Sequence, residues 1–478
     1  MLNLLTGNGT NIQFGGRAYT SMFIMERIKY RARLDAYNEL LGGKVIANEI
    51  VCILDGFVEE ANAIRKGDYD SYITDEETKL AVEDFKDRYD WEIENSYDIM
   101  MEDWFLIVHM FFQKNPELEE HKISAVQGFE RLILDAIYND GKLQNLYTNM
   151  ERNRHVRKFF QVYDNIFTLN YDNNIEKLTG KEVYHLHGDF SVLSDSENVS
   201  NVQGFIREQA GERVVLDNMQ HCFCSALLNY SGRLKQKIMV NNAKLNKEAE
   251  TFGDKYRQNE KFRTDLEVIR EDKPLEYKSI MTKIEHPELQ MTTEYHYDLF
   301  KNIEGELHII GMSPNNDAHI FDAILNNPKL EKVVFYYMNP KEKEFIEENY
   351  PKELFSCEKI TEKWRKLRCL TPVFHCNYPM PKEVKQFVEI ANKMSRFKIS
   401  VETAIEEVNK IPQYEMTRLS KLVEADMLTR NPNHQSMTER EFIYQMDSIS
   451  YIALQEGILP PVLYLVYIMN ASNINGKG

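Results

Sequence analysis

The sequence predicts an α/β fold in which a Rossmann-like parallel sheet carries large helical insertions and a C-terminal α-helical domain. Three observations predict it. A short apolar run, Leu2 to Thr6, meets glycines at Gly7 and Gly9 and then a helical pattern at Met22, Phe23, Ile28 and Leu34. Further runs of strand length lie at Asn165 to Leu169, Glu182 to Leu186, Leu307 to Ile310 and Lys332 to Met338, and the first three end in polar turns. The stretches between them are far longer than a parallel crossover of about a dozen residues requires.

The opening run is a buried strand feeding a glycine turn and then a helix, the first unit of a nucleotide-binding α/β domain. Its spacing, Gly7-Asn8-Gly9 followed by Gly15-Gly16, is not the GxGxxG fingerprint. From Tyr37 to Phe160 the pattern is mainly helical, with strongly apolar stretches at Ile50 to Leu54 and Met101 to Phe112 and an amphipathic helix over Ser124 to Tyr138. This segment, about 37–160, is a helical insertion expected to cover one side of the pocket. A second insertion, about 191–300, includes the charged stretch Asn241 to Lys273, whose mixed signs read as a solvated helix rather than a nucleic-acid arm. Residues 1–379 thus form the sheet domain. After Pro379 the pattern becomes amphipathic: Val384, Phe387, Val388 and Ala391 share a helical face, Ser400 can cap a helix, and Thr438-Glu-Arg-Glu441 is a capping box. A helical domain over 380–478 follows.

Composition narrows the partners. At 478 residues the chain is too long for one ordinary domain, and 43% hydrophobic residues suffice for sizeable cores. The net charge of −17, spread along the chain, repels nucleic-acid backbones and anionic membranes. Six cysteines without two close pairs fit reduced thiols and a cytoplasmic setting better than disulfides or a tetrahedral zinc site. The opening apolar run is too short for a signal peptide, and Ile458 to Met469, interrupted by Pro460-Pro461, falls short of a bilayer span of about 20 residues.

The residues that can carry chemistry stand at the strand ends: Asn170-Tyr171-Asp172, Leu186-His187-Gly188 and Gly311-Met312-Ser313. Each has a plainer reading beside it. Asn170-Tyr171-Asp172 can cap the helix that begins near Asn173, Gly7 and Gly9 can serve a tight turn, and a histidine ending a strand is more often structural. His185 points to the same strand face as His187 and reads as packing or as a support behind the site residues, His319 reads as structural, and no carboxylate spacing supports a metal.

The run from Thr168-Leu-Asn170-Tyr-Asp172 through Gly180 to Leu186-His187-Gly188, with Gly7-Asn8-Gly9 before it and Gly311-Met312-Ser313 after it, resembles the sirtuin-like domains of bacterial antiphage, abortive-infection proteins. The resemblance implies that Asn170 lies at the bond between nicotinamide and ribose and that His187 contacts the ribose hydroxyls. It implies a dinucleotide held by Gly7, Asn8, Gly9, Asn11, Asp172, Gly311, Ser313 and Asp317, with Asp172 orienting the Asn170 loop. Breaking that bond builds positive charge on the ribose, so a polar group must place water and a base must polarise a hydroxyl. The Pro-Asp-Phe-Arg sequence and paired-cysteine zinc module of protein-deacylating sirtuins are missing, Gly15-Gly16-Arg17-Ala18-Tyr19 standing in the first place.

The expectation is therefore an NAD+ hydrolase that depletes NAD+ in antiviral defence, with NAD+ as substrate and no metal. Silence at rest would come from a homo-oligomer, a regulatory protein partner or a nucleotide activator. The alternatives are an NAD+ or ADP-ribose sensor without turnover, and a protein deacylase or ADP-ribosyltransferase.

Overall fold

A computed structural model describes residues 1–32, 47–191, 201–202, 205–206, 219–369 and 403. The predicted helices beyond residue 380 lie outside the described residues, residue 403 excepted.

Strand β1 (Leu2–Thr6) is followed in the chain by β2 (Asn165–Thr168), β3 (Tyr184–His185), a small antiparallel pair β4 (Asn201–Val202) and β5 (Phe205–Ile206), then β6 (Gly305–Ile310), β7 (Leu330–Tyr337) and β8 (Phe355–Lys359). Six of these form one sheet in the order β3-β2-β1-β6-β7-β8, every pair parallel. The register places Leu5 beside both Phe167 and Ile309, and Ile309 beside Phe335. The fold is thus α/β with a Rossmann-like parallel sheet.

Side chains alternate across a strand, and here both faces are covered, which is why the strands read as continuous apolar runs. Leu5, Phe167, Ile309, Val333 and Phe335 face one layer, packing with Phe300, Ile320, Phe321 and Ile324. Leu4, Ile166, Ile310, Val334 and Tyr336 face the other, against Phe159, Phe160 and Trp364. The first crossover, between β1 and β2, holds the helical insertion. Its own core of Ile28, Leu54, Phe57, Phe85, Trp104, Ile107 and Leu132 also takes in Tyr171, Phe190 and Leu228 from the loops at the sheet's edge. That shared core fixes the insertion against the ends of β2 and β3.

The apolar stretches of the first insertion are helical, as expected, and two other readings change in detail. Ile50 to Leu54 lies within the helix Ala47–Lys66, and the Met101 to Phe112 stretch lies, from Asp103 onward, in the helix Asp103–Lys114. The solvated stretch is three helices, Gly232–Ala249, Phe252–Gln258 and Glu260–Asp272, and Asn259, whose side chain accepts from the Phe262 amide, starts the last of them. Strand β8 was not predicted: Phe355 is its one fully buried residue, so it lacks an apolar run. Among the described residues no helix is long and apolar enough to cross a membrane.

Candidate functional site

From β1 the chain moves to β2 on one side of the sheet; from β6 it moves to β7 on the other. Adjacent strands whose connections diverge leave a crevice at their carboxyl ends, the place where open α/β sheets bind ligands. A cavity of about 460 Å3 opens there. Its lining includes Gly7, Asn8, Gly9 and Asn11 after β1, Asn170 after β2, His187 after β3, and Gly311, Ser313 and Asp317 after β6. The helical insertion contributes Met100, Met101, Glu102, Ile137 and Leu143, so it forms part of the wall.

The two central loops interlock. The Gly7 amide donates to the Ile310 carbonyl at 2.9 Å and the Gly9 amide to the Gly311 carbonyl at 2.8 Å. A Cβ on Gly9 would lie 2.5 Å from the Gly311 Cα, and one on Gly7 would lie 2.6 Å from the Gly311 oxygen. These glycines therefore let one loop touch the other. Their own amides are spent on that contact, a different use from the direct approach to a pyrophosphate that the resemblance implies.

Asparagine side chains in the first loop are also anchored. Asn8 donates its amide to the Tyr19 carbonyl at 2.8 Å, and Asn11 donates to Asp172 Oδ2 at 2.7 Å. Asp172 does not line the main cavity. Behind it, Oδ1 of Asp172 accepts from the Asn174 backbone at 3.2 Å and side chain at 2.6 Å, at the start of the helix Asn174–Thr179. Asp172 thus serves the helix start and the Asn11 loop, while Asn170 serves the cavity. Burial pushes the Asp172 carboxyl up, against the opposing pull of Asn11 and Asn174.

Asn170 is held on three sides. Its amide N–H donates to Thr168 Oγ1 at 3.1 Å, its side-chain NH2 donates to the Gly7 carbonyl at 3.2 Å, and its carbonyl accepts from His185 Nδ1 at 2.9 Å. The other ring nitrogen of His185 meets Glu176 Oε1 at 2.5 Å. With acceptors at both nitrogens the ring is an imidazolium; burial opposes the charge, but Glu176 outweighs it and raises the His185 pKa to about 9. His185 therefore acts as a strut under Asn170.

His187 is 3% exposed, and its Nε2 lies 3.3 Å from His319 Nε2 and 3.9 Å from Asp317 Oδ1. Burial first, then the charge of Lys235 and the neighbouring His319, hold its pKa well below the usual histidine range, so it is neutral at pH 7. Asp317 is raised to about 6 by burial, with Lys235 pulling down and Glu102 pushing up. Lys235 is itself buried and donates to Glu102 Oε1 at 3.0 Å. Deeper still, Arg88 and Asp103 form a bidentate pair at 2.9 Å, with Tyr89 donating to Asp103 at 2.7 Å.

His319, Lys235 and Glu102 were not among the predicted site residues. His319 is the second residue of the helix Ala318–Leu325, and its motif, Asp317-Ala-His319, held the only sequence signal; Lys235 and Glu102 sit in insertions without a distinctive pattern. None of the described lining residues is Lys or Arg; besides the residues already named, Ser21, Gln13, Asn316 and Asn339 add polar side chains to the lining.

The chain matches no family model, no curated protein and no solved structure. What the geometry shows is a cavity at the switch point of a parallel sheet, walled by a neutral histidine, a half-buried carboxyl group and a braced asparagine.

Proposed function

We propose that this chain is an NAD+ glycohydrolase, cleaving NAD+ with water to nicotinamide, ADP-ribose and a proton. One observation carries the reading: Asn170 and His187, from two different strand ends, meet both glycine loops at a single cavity of about 460 Å3, within the usual range for small-molecule sites of about 300 to 1,000 Å3.

In this reading the bond from the ribose to nicotinamide breaks with its electron pair going to the leaving ring, and positive charge builds on the ribose. Asn170 spends its NH2 on the Gly7 carbonyl, which leaves Oδ1 to accept from the attacking water and place it. Neutral His187 accepts from a ribose hydroxyl, increasing electron density on the sugar as its charge grows. Asp317 and Glu102 put carboxyl groups in the same cavity, where ionised forms favour the cationic nicotinamide ring and the cationic transition state. The role we infer is antiphage defence by NAD+ depletion, in which the helical insertion that walls the cavity gives an activating partner a lever on the site.

The test is to incubate the chain with NAD+ and follow free nicotinamide by chromatography. Asn170→Ala and His187→Ala should each abolish release while preserving the circular-dichroism spectrum. Release that survives both changes would remove the assignment.

A further inference from the structure

Beside the cavity, three side chains from two distant parts of the chain converge. His187 Nε2, His319 Nε2 and an Asp317 oxygen belong to a group whose ligand atoms all lie within 4.8 Å of one another. Two imidazoles and a carboxylate are a donor set suited to zinc and its neighbours in the first transition row. We propose that His187, His319 and Asp317 hold one divalent cation of the zinc class, and that its occupancy blocks NAD+ cleavage by taking the ring nitrogen of His187.

The distances support coordination. Two nitrogens 3.3 Å apart, each about 2.05 Å from one ion, subtend about 107°, close to the tetrahedral angle. The Asp317 oxygen, 3.9 Å from His187 Nε2, must come roughly 0.5 Å closer to complete the same geometry. It can do so, because the Asp317 side chain makes no capping hydrogen bond to the helix it precedes. His319 is 0% exposed and its Nδ1 has no hydrogen-bond partner. No contact on that side of the ring dictates the tautomer, so Nε2 is free to present its lone pair toward His187.

Nearby cations do not exclude the ion. Lys235 is paired with Glu102 and Arg88 with Asp103, so Asp317 supplies negative charge to the ion itself. His187 and Asp317 line the cavity while His319 lies behind them. The three ligands would therefore hold the ion from the protein side, with a fourth position open to water, the arrangement of an accessible three-ligand site.

The blocking half rests on the NAD+ reading; the binding half does not. The full chain, stripped with a chelator, is dialysed against Co2+, whose visible absorption reports coordination, and the metal is then displaced with Zn2+. About one Co2+ per chain is expected, with Asp317→Asn and His319→Gln each weakening retention at least about tenfold and His121→Ala leaving it unchanged. Should His319→Gln fail to fold, the near-isosteric Asp317→Asn carries the test. A wild-type chain that retains no Co2+, or retention undiminished in the folded variants, overturns the site. Nicotinamide release that continues at full rate in the Zn2+-loaded chain overturns the blocking half. Metal retention in a chain that never releases nicotinamide upholds the site and refutes the NAD+ reading instead.

Discussion

Gly311→Ala tests the interlock of the two loops at the switch point. Gly311 sits at φ +70°, and a Cβ there would lie 2.7 Å from the Thr10 nitrogen and 2.8 Å from the Gly9 Cα, both backbone atoms that cannot turn aside. Gly180 has nearly the same conformation, φ +72°, with nothing within 4 Å of the added carbon. Left-handed backbone costs an L-residue about 1 to 2 kcal/mol, so Gly180→Ala should lose about that much. Gly311→Ala adds overlap, about 1 to 3 kcal/mol where a packed site is overfilled, for a total of about 2 to 5 kcal/mol. Terms common to both substitutions cancel in the difference. Urea unfolding followed by tryptophan fluorescence measures it, with Gly311→Ala also expected to impair nicotinamide release, since the loops must part. Equal losses in the two variants would refute the interlock.

Other consequences are as direct. Asp103→Ala strands the buried Arg88 guanidinium and should cost about 3 to 5 kcal/mol, read from the same urea transitions. Asn11→Ala removes one partner of the buried Asp172 carboxyl and should destabilise by about 1 to 3 kcal/mol; an unchanged midpoint would mean that Asp172 is satisfied without it. Asp75 caps the helix Glu76–Arg88, accepting from the Thr78 amide at 2.8 Å and hydroxyl at 2.8 Å. Those bonds hold its pKa below the ordinary carboxylate value. A depressed folded pKa contributes stability above the unfolded value, near 3.8, that is lost as pH falls through the folded one. Asp75→Ala should therefore cost about 1 kcal/mol at pH 7, and its melting temperature should approach that of the wild type as the pH is lowered below about 4.

The strands were legible because a sheet buried on both faces demands apolar residues at every position, so Leu4 and Leu5, or Val333 through Phe335, mark a strand without any alternation. Strand β8 escaped because it lies at the sheet edge with Phe355 alone fully buried. The break at Asn259 escaped for a different reason: a charged, solvated helix gives no apolar rhythm whose interruption could be seen. In Asn170-Tyr171-Asp172, neighbouring residues face different ways: Asp172 turns behind the cavity to the helix start, while Asn170 lines the cavity.

By itself, the sequence determined the strands of the parallel sheet other than the edge strand β8 and the residues at their carboxyl ends, because strand burial and turn chemistry are local. The order β3-β2-β1-β6-β7-β8 was a tertiary decision, and it created the crevice between diverging connections. Only that order brings His187 to within 3.3 Å of His319, 132 positions away, and buries both beside Lys235. Burial and neighbouring charge, rather than residue type, then keep His187 neutral and push Asp317 upward. Such effects depend on distances through folded protein, which spacing along a chain does not encode.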